Sequence, residues 1–479
     1  MDTDLTEQHL IVLVHGLWGN PGHMECIKQS LEAKYPPGKS SIDLLVPKSN
    51  KGFASYDGVK IGGMRIVEEI EEFIKVNSQP SNGKQKVYTK ISVVGYSLGG
   101  LWSRYAIGLL LQKGLLKTPD NPDGKLEPVA FTTFASPHAG TSFHQNTLRS
   151  NVSNALGKTM LGQSGMDLFL QPVTIDENNK DPRPVLEQLA DPNGVFYKAL
   201  AAFKHRMLFS NTINDRTVPF YTSYLSVKDP FKQHGYTHVV HKPHPDLDAG
   251  SDDSEGEEGL QPLVSTSSTK TYAEVDLFKS SYKVPDSQTK SNSIRWEELQ
   301  FRIVFILFSP ILLTVFIPVS SISSLISYHR IKTYEVQYKE NKSKTTEVTK
   351  HNRRRDSISE GVAEITAHAV DDFFGTRNPE EESVSEADET DDNTQSGDVS
   401  DQKGLCNVVE TPGLPDLGLS PLEVKIIENL NRLEWEKHAV QFKRLHSHAE
   451  IVNRRNKPGQ GEEVVRNWVK MMDEKFAAL

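Results

Sequence analysis

Apolar and polar residues follow two different patterns along the first half of the chain. Residues 9–15, HLIVLVH, form a short apolar run that ends at a glycine-containing turn, as is typical of a buried strand. Gly62 to Lys75 instead spaces its apolar residues at helical intervals, with Glu and Lys on the opposite face. Such strand and helix patterns alternate, which predicts an α/β fold with a mostly parallel sheet flanked by helices.

The same patterns predict further elements. Strands are expected near residues 43–46, 90–94, 129–134, 206–209 and 439–442. Helices are expected from Met24, over Leu98–Gln112, from Pro421 and over Glu462–Phe476.

The second half of the chain changes composition several times, which predicts five segments. Residues 1–240 would form most of the core, 241–300 an acidic polar linker, 301–330 an apolar segment that associates with lipid, and 331–417 a charged disordered linker. Residues 418–479 would return to complete the core. One folded unit is therefore expected to be interrupted by a long insertion.

Charge is distributed unevenly over these segments. The net charge is −9, but Asp371–Asp401 carries −11 and Asp246–Glu258 carries −7, which leaves +9 for the remainder. No nucleic-acid-reading motif accompanies this charge, so we expect no nucleic-acid partner. Protein partners of the acidic linkers cannot be identified from their composition. Two cysteines and an acidic amino-terminal segment predict neither a disulfide framework nor a signal peptide.

Gly95-Tyr96-Ser97-Leu98-Gly99 matches G-x-S-x-G between a predicted strand and a predicted helix. This is the context of a nucleophile elbow, in which a sharp turn exposes the serine hydroxyl above the sheet. A tight turn with a buried serine is the plainer alternative. As an elbow, it predicts Ser97 as the nucleophile, with the backbone N–H groups of Leu98 and Leu17 forming an oxyanion hole.

A Ser-acid-His chain order requires the other two groups after Ser97. Asp215 is the preferred acid because it follows an apolar strand in the polar stretch SNTINDRTVPF. His448, in the loop after the predicted strand 439–442, is the preferred base. The alternatives are Asp176, Asp181 and Asp191 for the acid and His446 for the base, although both histidines could also be ordinary surface residues. His15 is expected to be structural.

A second group of histidines is a candidate metal site. It comprises His234, His238, His241 and His244. Gly235, Pro243 and Pro245 argue against one helical face, and no Cys or acid completes a zinc set. We therefore expect neither a metal nor an organic cofactor.

Five blocks resemble, in order, the fungal serine esterase and lipase family of the α/β-hydrolase superfamily, which includes a yeast lipid-droplet phospholipase. They are HLIVLVHGLWGNP, GYSLGG, FASPHAGT, NDRTVPF and SHAEIV, spread over residues 8–240 and 420–460. The resemblance implies hydrolysis of acyl esters of glycerophospholipids, and it favours His448 over His446. The family usually has His at the position of Tyr96, where we expect the side chain mainly to pack the elbow.

Ile303 to Tyr328 contains 26 residues without a formal charge, enough to cross a bilayer. A single crossing would separate Ser97 and Asp215 from His448. Pro310 and Pro318 favour bending, and nine bases against three acids between Arg330 and Arg355 suit an anionic surface. These features predict one-sided attachment through residues 303–328 to a lipid droplet or to the cytosolic face of the endoplasmic reticulum.

Two other functions fit parts of the sequence. A deacylase of lipidated proteins or acyl thioesters would use the same catalytic residues, so only substrate assays separate it from a lipase. A non-catalytic, membrane-docked adaptor would use the acidic linkers to recruit partners, but it leaves the elbow and the acid and base candidates unexplained.

Overall fold

The computed structural model describes residues 4–80, 83–142, 144, 148–172, 181–212, 215, 217–229, 317–343, 417–442 and 446–477. Within these ranges, six strands form one sheet in the order β2-β1-β3-β4-β5-β6, and every neighbouring pair is parallel. The strands are β1 (Asp4–Val14), β2 (Ile42–Leu45), β3 (Lys84–Tyr96), β4 (Glu127–Phe134), β5 (His205–Asn211) and β6 (Glu436–Val440).

Helices connect and cover the strands. They are α1 (Glu25–Lys34), α2 (Gly58–Asn77), α3 (Leu98–Gln112), α4 (Leu148–Met160), α5 (Gly162–Leu168), α6 (Val185–Leu189), α7 (Val195–Ala202), α8 (Phe220–Ser223), α9 (Ile317–Ser343), α10 (Pro421–Asn431), α11 (Ser447–Glu450) and α12 (Gln460–Ala477). Short 3-10 helices occupy Pro21–Met24 and Gly52–Tyr56.

Apolar side chains are buried on both faces of the sheet. Helices α1 and α12 cover one face, where Trp468 is fully buried, and α2, α3 and α7 cover the other, where Trp102 is fully buried. A strand that is buried on both faces has a continuous apolar sequence rather than an alternating one. This explains the run of apolar residues in β1.

The predicted fold class is confirmed: the sheet and its helices have the α/β-hydrolase arrangement. Helix α3 has the predicted bounds, whereas β6 begins three residues before the predicted 439–442. Strand β6 comes from the last segment of the chain and pairs with β5, from Met207 opposite Glu436 to Asn211 opposite Val440. The C-terminal segment thus extends the sheet that the N-terminal segment begins.

Helix α9 extends past residue 330, where the predicted apolar segment ends. Residues 331–343, assigned to the charged linker, continue helix α9. The helix is held to the core by ion pairs from Arg330 to Asp57 and from Glu335 to Lys60, which the composition of the segment does not reveal. Residues 241–300, 301–316 and 344–416, and the histidines at 234, 238, 241 and 244, lie outside the described residues. Among the described helices, none combines the length and the apolar character needed to cross a bilayer.

Candidate active site

Ser97 lies at a sharp turn between β3 and α3. Its backbone has φ 55° and ψ −129°, a conformation that non-glycine residues rarely adopt and that costs about 1–3 kcal/mol. The chain crowds this turn closely: a Cβ on Gly95 would lie 2.4 Å from Gly100 Cα, and one on Gly99 would lie 2.4 Å from the His15 carbonyl oxygen. Glycine is therefore required at both positions, and the turn has the geometry of a nucleophile elbow.

Asp215 lies in the loop that follows β5. Its Oδ2 accepts a hydrogen bond from Asn211 Nδ2 at 2.7 Å, and its Oδ1 accepts from the backbone N–H groups of Thr217 at 3.1 Å and Val218 at 2.9 Å. Burial alone would raise the pKa of this carboxyl, but the His448 ring and these hydrogen bonds outweigh burial and lower the pKa below its usual range. Asp215 is thus an ionised carboxylate with a fixed orientation.

His448 lies in the short helix α11, which follows β6. Its Nδ1 is 2.8 Å from Asp215 Oδ2, and its Nε2 is 3.0 Å from Ser97 Oγ. In the tautomer that donates from Nδ1 to the carboxylate, Nε2 can accept the proton of the serine hydroxyl. The arrangement can therefore activate Ser97 as a nucleophile and stabilise the imidazolium that forms.

The three groups meet because of the strand order. The segments after β3, β5 and β6 leave the same edge of the sheet, since all of these strands are parallel. Polar groups from separate loops commonly converge at this edge in parallel sheets.

The loop after β1 lies directly beside Ser97. A Cβ added to Gly16 would be 2.7 Å from Ser97 Cβ, so the backbone leading into Leu17 is close to the elbow. Two hydrogen bonds hold this loop in place. Trp18 donates from its backbone N–H to Ser55 Oγ at 3.0 Å and from Nε1 to Tyr56 Oη at 2.9 Å. Leu98 is the first residue of α3, and the first N–H groups of a helix have no partner within it. Both segments predicted to form the oxyanion hole therefore lie at Ser97.

His15 has the structural environment expected for it. It is buried, its Nδ1 is 3.0 Å from the Gly16 carbonyl oxygen, and its ring packs edge-on against Trp102. Burial lowers its pKa to about 4, so the ring is neutral at physiological pH.

The alternative acids and base lie elsewhere. Asp181 and Asp191 both bind the guanidinium of Arg183, at 2.7 Å and 2.8 Å, and Asp176 lies outside the described residues. His446 is exposed at the start of α11. The structure therefore brings Asp215 and His448 to Ser97, rather than these alternatives.

Sequence reasoning missed the residues that hold the acid and the base. Asn211 and Thr217 orient Asp215, and the spacing of Asp215 and Thr217 is that of an Asx turn, a signal the sequence did offer. Tyr96 donates a hydrogen bond from Oη to the His448 carbonyl oxygen at 2.9 Å, which no local pattern predicts across 352 positions. The expectation that Tyr96 mainly packs the elbow is incomplete.

Comparisons with known proteins find similarity to serine esterases and lipases. Residues 5–226 match the family model described as "Putative serine esterase (DUF676)". A putative lipase of Schizosaccharomyces pombe is 33% identical over 220 residues, which are 46% of this chain and 26% of that protein. The putative lipase ROG1 of Saccharomyces cerevisiae is 31% identical over 237 residues, which are 47% of this chain and 30% of that protein. The chain covers 26% to 32% of the length of four such curated relatives.

Among solved structures, phospholipase PlaB of Legionella pneumophila is similar with 15% identity and a TM-score of 0.23, over 46% of this chain and 43% of that one. Residues 5–226 are thus similar to the putative serine esterase family.

Proposed function

We propose that this protein is a lipase that hydrolyses acyl esters of glycerophospholipids, with Ser97 as nucleophile, His448 as base and Asp215 as the acid. The hydrogen-bonded chain from Ser97 Oγ through His448 to Asp215, with distances of 3.0 Å and 2.8 Å, is the observation that carries the proposal. The relatives' names support lipid substrates, and the strained backbone of Ser97 is expected of a nucleophile rather than of an adaptor's turn.

The proposed reaction has two halves. Ser97 Oγ attacks the acyl carbonyl carbon while its proton moves to His448 Nε2, and the N–H groups of Leu17 and Leu98 stabilise the oxyanion. The imidazolium then protonates the leaving alcohol oxygen, the C–O bond breaks and an acyl-enzyme remains. Water attacks the acyl-enzyme with His448 again accepting a proton, which returns to Ser97 Oγ as the fatty acid leaves. Asp215 stays ionised throughout and stabilises the imidazolium.

We place this reaction at a lipid surface. The apolar segment 303–328 and the basic residues after it support attachment to a lipid droplet or to the cytosolic face of the endoplasmic reticulum. Attachment from one side keeps Ser97, Asp215 and His448 in one compartment.

Fluorophosphonate labelling in detergent micelles, followed by fatty-acid release from phosphatidylcholine, tests the proposal. We expect Ser97→Ala to abolish labelling and His448→Gln to slow it at least a thousandfold, because an unactivated serine hydroxyl is a weak nucleophile. Two matched controls should label like wild type. One is Ser103→Ala, which changes a buried serine of α3 six positions after Ser97. The other is His446→Gln, which changes an exposed histidine two residues before His448.

The outcomes separate the candidate functions. Labelling with release of fatty acid from phosphatidylcholine supports the lipase. Labelling with turnover of acyl thioesters alone would replace it with the deacylase. If folded wild-type protein did not label, the non-catalytic adaptor would be the remaining candidate function.

A further inference from the structure

Over residues 322–328, helix α9 presents apolar side chains to solvent and serine side chains to the core. Ile322, Leu325 and Ile326 are 58%, 59% and 53% exposed, whereas Ser323 and Ser327 are buried. A helix on the surface of a soluble protein has the opposite arrangement, with its apolar stripe against the core. The contacts on the inner side of the helix and the occupant of its outer side together account for this orientation.

On the inner side, the buried carboxylate of Asp57 fixes the orientation of α9. Its oxygens accept hydrogen bonds from Ser327 Oγ at 2.6 Å and from Arg330 Nε and Nη2 at 2.6 Å and 2.7 Å. Arg65 of helix α2 donates to the same carboxylate at 2.6 Å. A buried carboxylate that lost these partners would pay a large desolvation cost, so α9 cannot rotate its apolar side inward without breaking the cluster.

The attachment point of α9 is close to the candidate active site. Asp57 directly follows the 3-10 helix Gly52–Tyr56, in which Ser55 and Tyr56 hold Trp18 of the loop beside Ser97. Arg330 also donates to the Phe53 carbonyl oxygen in that 3-10 helix at 2.8 Å. Helix α9 is therefore connected, through the 3-10 helix Gly52–Tyr56, to the loop predicted to form part of the oxyanion hole.

We propose that the outer face of α9, formed by Ile322, Leu325, Ile326 and Tyr328, contacts the lipid surface and presents this edge of the active site to it. The proposal rests on the lipase function for its purpose.

Sequence and charge favour a lipid surface as the occupant of this face. The uncharged stretch that begins at Ile303 continues into α9 and ends at Tyr328, so apolar sequence leads directly into the exposed face. At that end, Lys332 Nζ lies 4.6 Å from the centre of the Tyr328 ring, the pairing of an aromatic and a basic residue expected where a helix leaves the apolar layer. The bases that follow suit anionic head groups.

Flotation with vesicles of phosphatidylcholine and phosphatidylserine tests the proposal, using the full chain with Ser97→Ala so that hydrolysis does not change the vesicles. Adding Leu325→Glu and Ile326→Glu should reduce the bound fraction at least tenfold. Adding Leu5→Glu and Val76→Glu is the matched control, because those side chains are 62% and 61% exposed elsewhere on the molecule. The control protein should float like its parent.

A second measurement separates this proposal from the proposed reaction. With Ser97 intact, the Leu325→Glu and Ile326→Glu protein should cleave a soluble short-chain ester like wild type but cleave vesicle phospholipid at least tenfold more slowly. Unchanged flotation of this protein, or equal loss in the Leu5 and Val76 control, would overturn the lipid-contacting face. The proposal would also be overturned if wild type formed a dimer that the two α9 substitutions dissociate, since a second copy of the chain would then cover this face. Absence of ester cleavage in every protein, with selective loss of flotation, would overturn only the reaction.

Discussion

At the scale of single residues, Tyr96 directly precedes the candidate nucleophile in the sequence and also contacts the candidate base, His448. Its hydroxyl donates to the backbone carbonyl of His448 at 2.9 Å, and the two rings lie 5.2 Å apart. Because Tyr96 holds the backbone that carries the imidazole, it is a positioning residue rather than a catalytic one.

Tyr96→Phe should lower kcat on a soluble ester about threefold to tenfold and leave KM nearly unchanged. One hydrogen bond contributes about 0.5–1.5 kcal/mol, and here that energy restrains the position of the base. The rate of fluorophosphonate labelling should fall by the same factor. Tyr96→His should recover part of the loss if an imidazole N–H reaches the same carbonyl.

Tyr88→Phe is the control for the loss of a buried tyrosine hydroxyl. Tyr88 is on the same strand, and its Oη donates to Asp43 Oδ2 at 2.7 Å, away from Ser97. Its loss should affect stability without changing kcat. Equal kcat values for Tyr96→Phe and wild type would show that the hydrogen bond to His448 has no part in positioning.

At the scale of elements, helix α10 joins the C-terminal segment to the rest of the core. Its first turn has a capping box, in which Ser420 Oγ accepts from the Glu423 N–H at 3.3 Å and Glu423 Oε2 accepts from the Ser420 N–H at 2.7 Å. Glu423 Oε1 also lies 3.0 Å from His144 Nε2 and 3.2 Å from Tyr221 Oη. One buried carboxylate thus caps the helix and ties it to two other parts of the core.

Ser420→Ala should lower the free energy of unfolding by about 1 kcal/mol, the usual cost of losing an N-cap side chain. Urea unfolding followed by tryptophan fluorescence measures the change, with Ser41→Ala, an exposed serine before β2, as the control. Ester hydrolysis at 25 °C should be unchanged, because the cap does not touch His448. A loss of activity without a loss of stability would contradict this assignment.

The elements differ in how far the sequence determines them. Helix α3 was predictable to the residue because the turn glycines and the helical spacing agree at both of its ends. The acid and the base were accessible from chain order and strand ends, since parallel strands bring their carboxyl ends together. The continuation of helix α9 over residues 331–343 was not predicted because the contacts that hold the helix are polar, from Ser327 and Arg330 to Asp57, and no periodicity reveals a partner 270 positions away.

At the scale of the whole molecule, the core contains several histidines that burial keeps neutral. Burial lowers the pKa of His9 to about 3 and that of His15 to about 4, and it also lowers the pKa of His138 and His438. In the unfolded chain these rings titrate near 6.5. Below that pH the unfolded chain therefore binds protons that the native protein does not, so the free energy of unfolding falls as the pH falls.

Asp167 acts in the opposite direction. It is buried between α2 and α5, where it accepts hydrogen bonds from the Val59 N–H at 2.7 Å and from Gln163 Nε2 at 2.9 Å, and burial raises its pKa to about 6. Between about pH 6 and the ordinary carboxyl value, the native protein binds a proton that the unfolded chain does not. This one group offsets part of the histidine effect, but four histidines outweigh it.

Urea unfolding at pH 7 and pH 5 should therefore show a lower stability at pH 5, and two variants should change the difference in opposite directions. The His9 ring takes up a proton in the unfolded chain but not in the native protein, which lowers the free energy of unfolding by about 1.4 kcal/mol for each pH unit below 6.5, or about 2 kcal/mol at pH 5. His9→Gln should therefore reduce the difference by about 2 kcal/mol. Asp167→Asn removes the opposing group and should increase the difference. Because the carboxylates of Asp215 and Glu436 have lowered pKa values, they lose their stabilising contribution only at lower pH and do not obscure this interval. If both variants changed the difference in the same direction, buried neutral histidines would not be the source of the acid sensitivity.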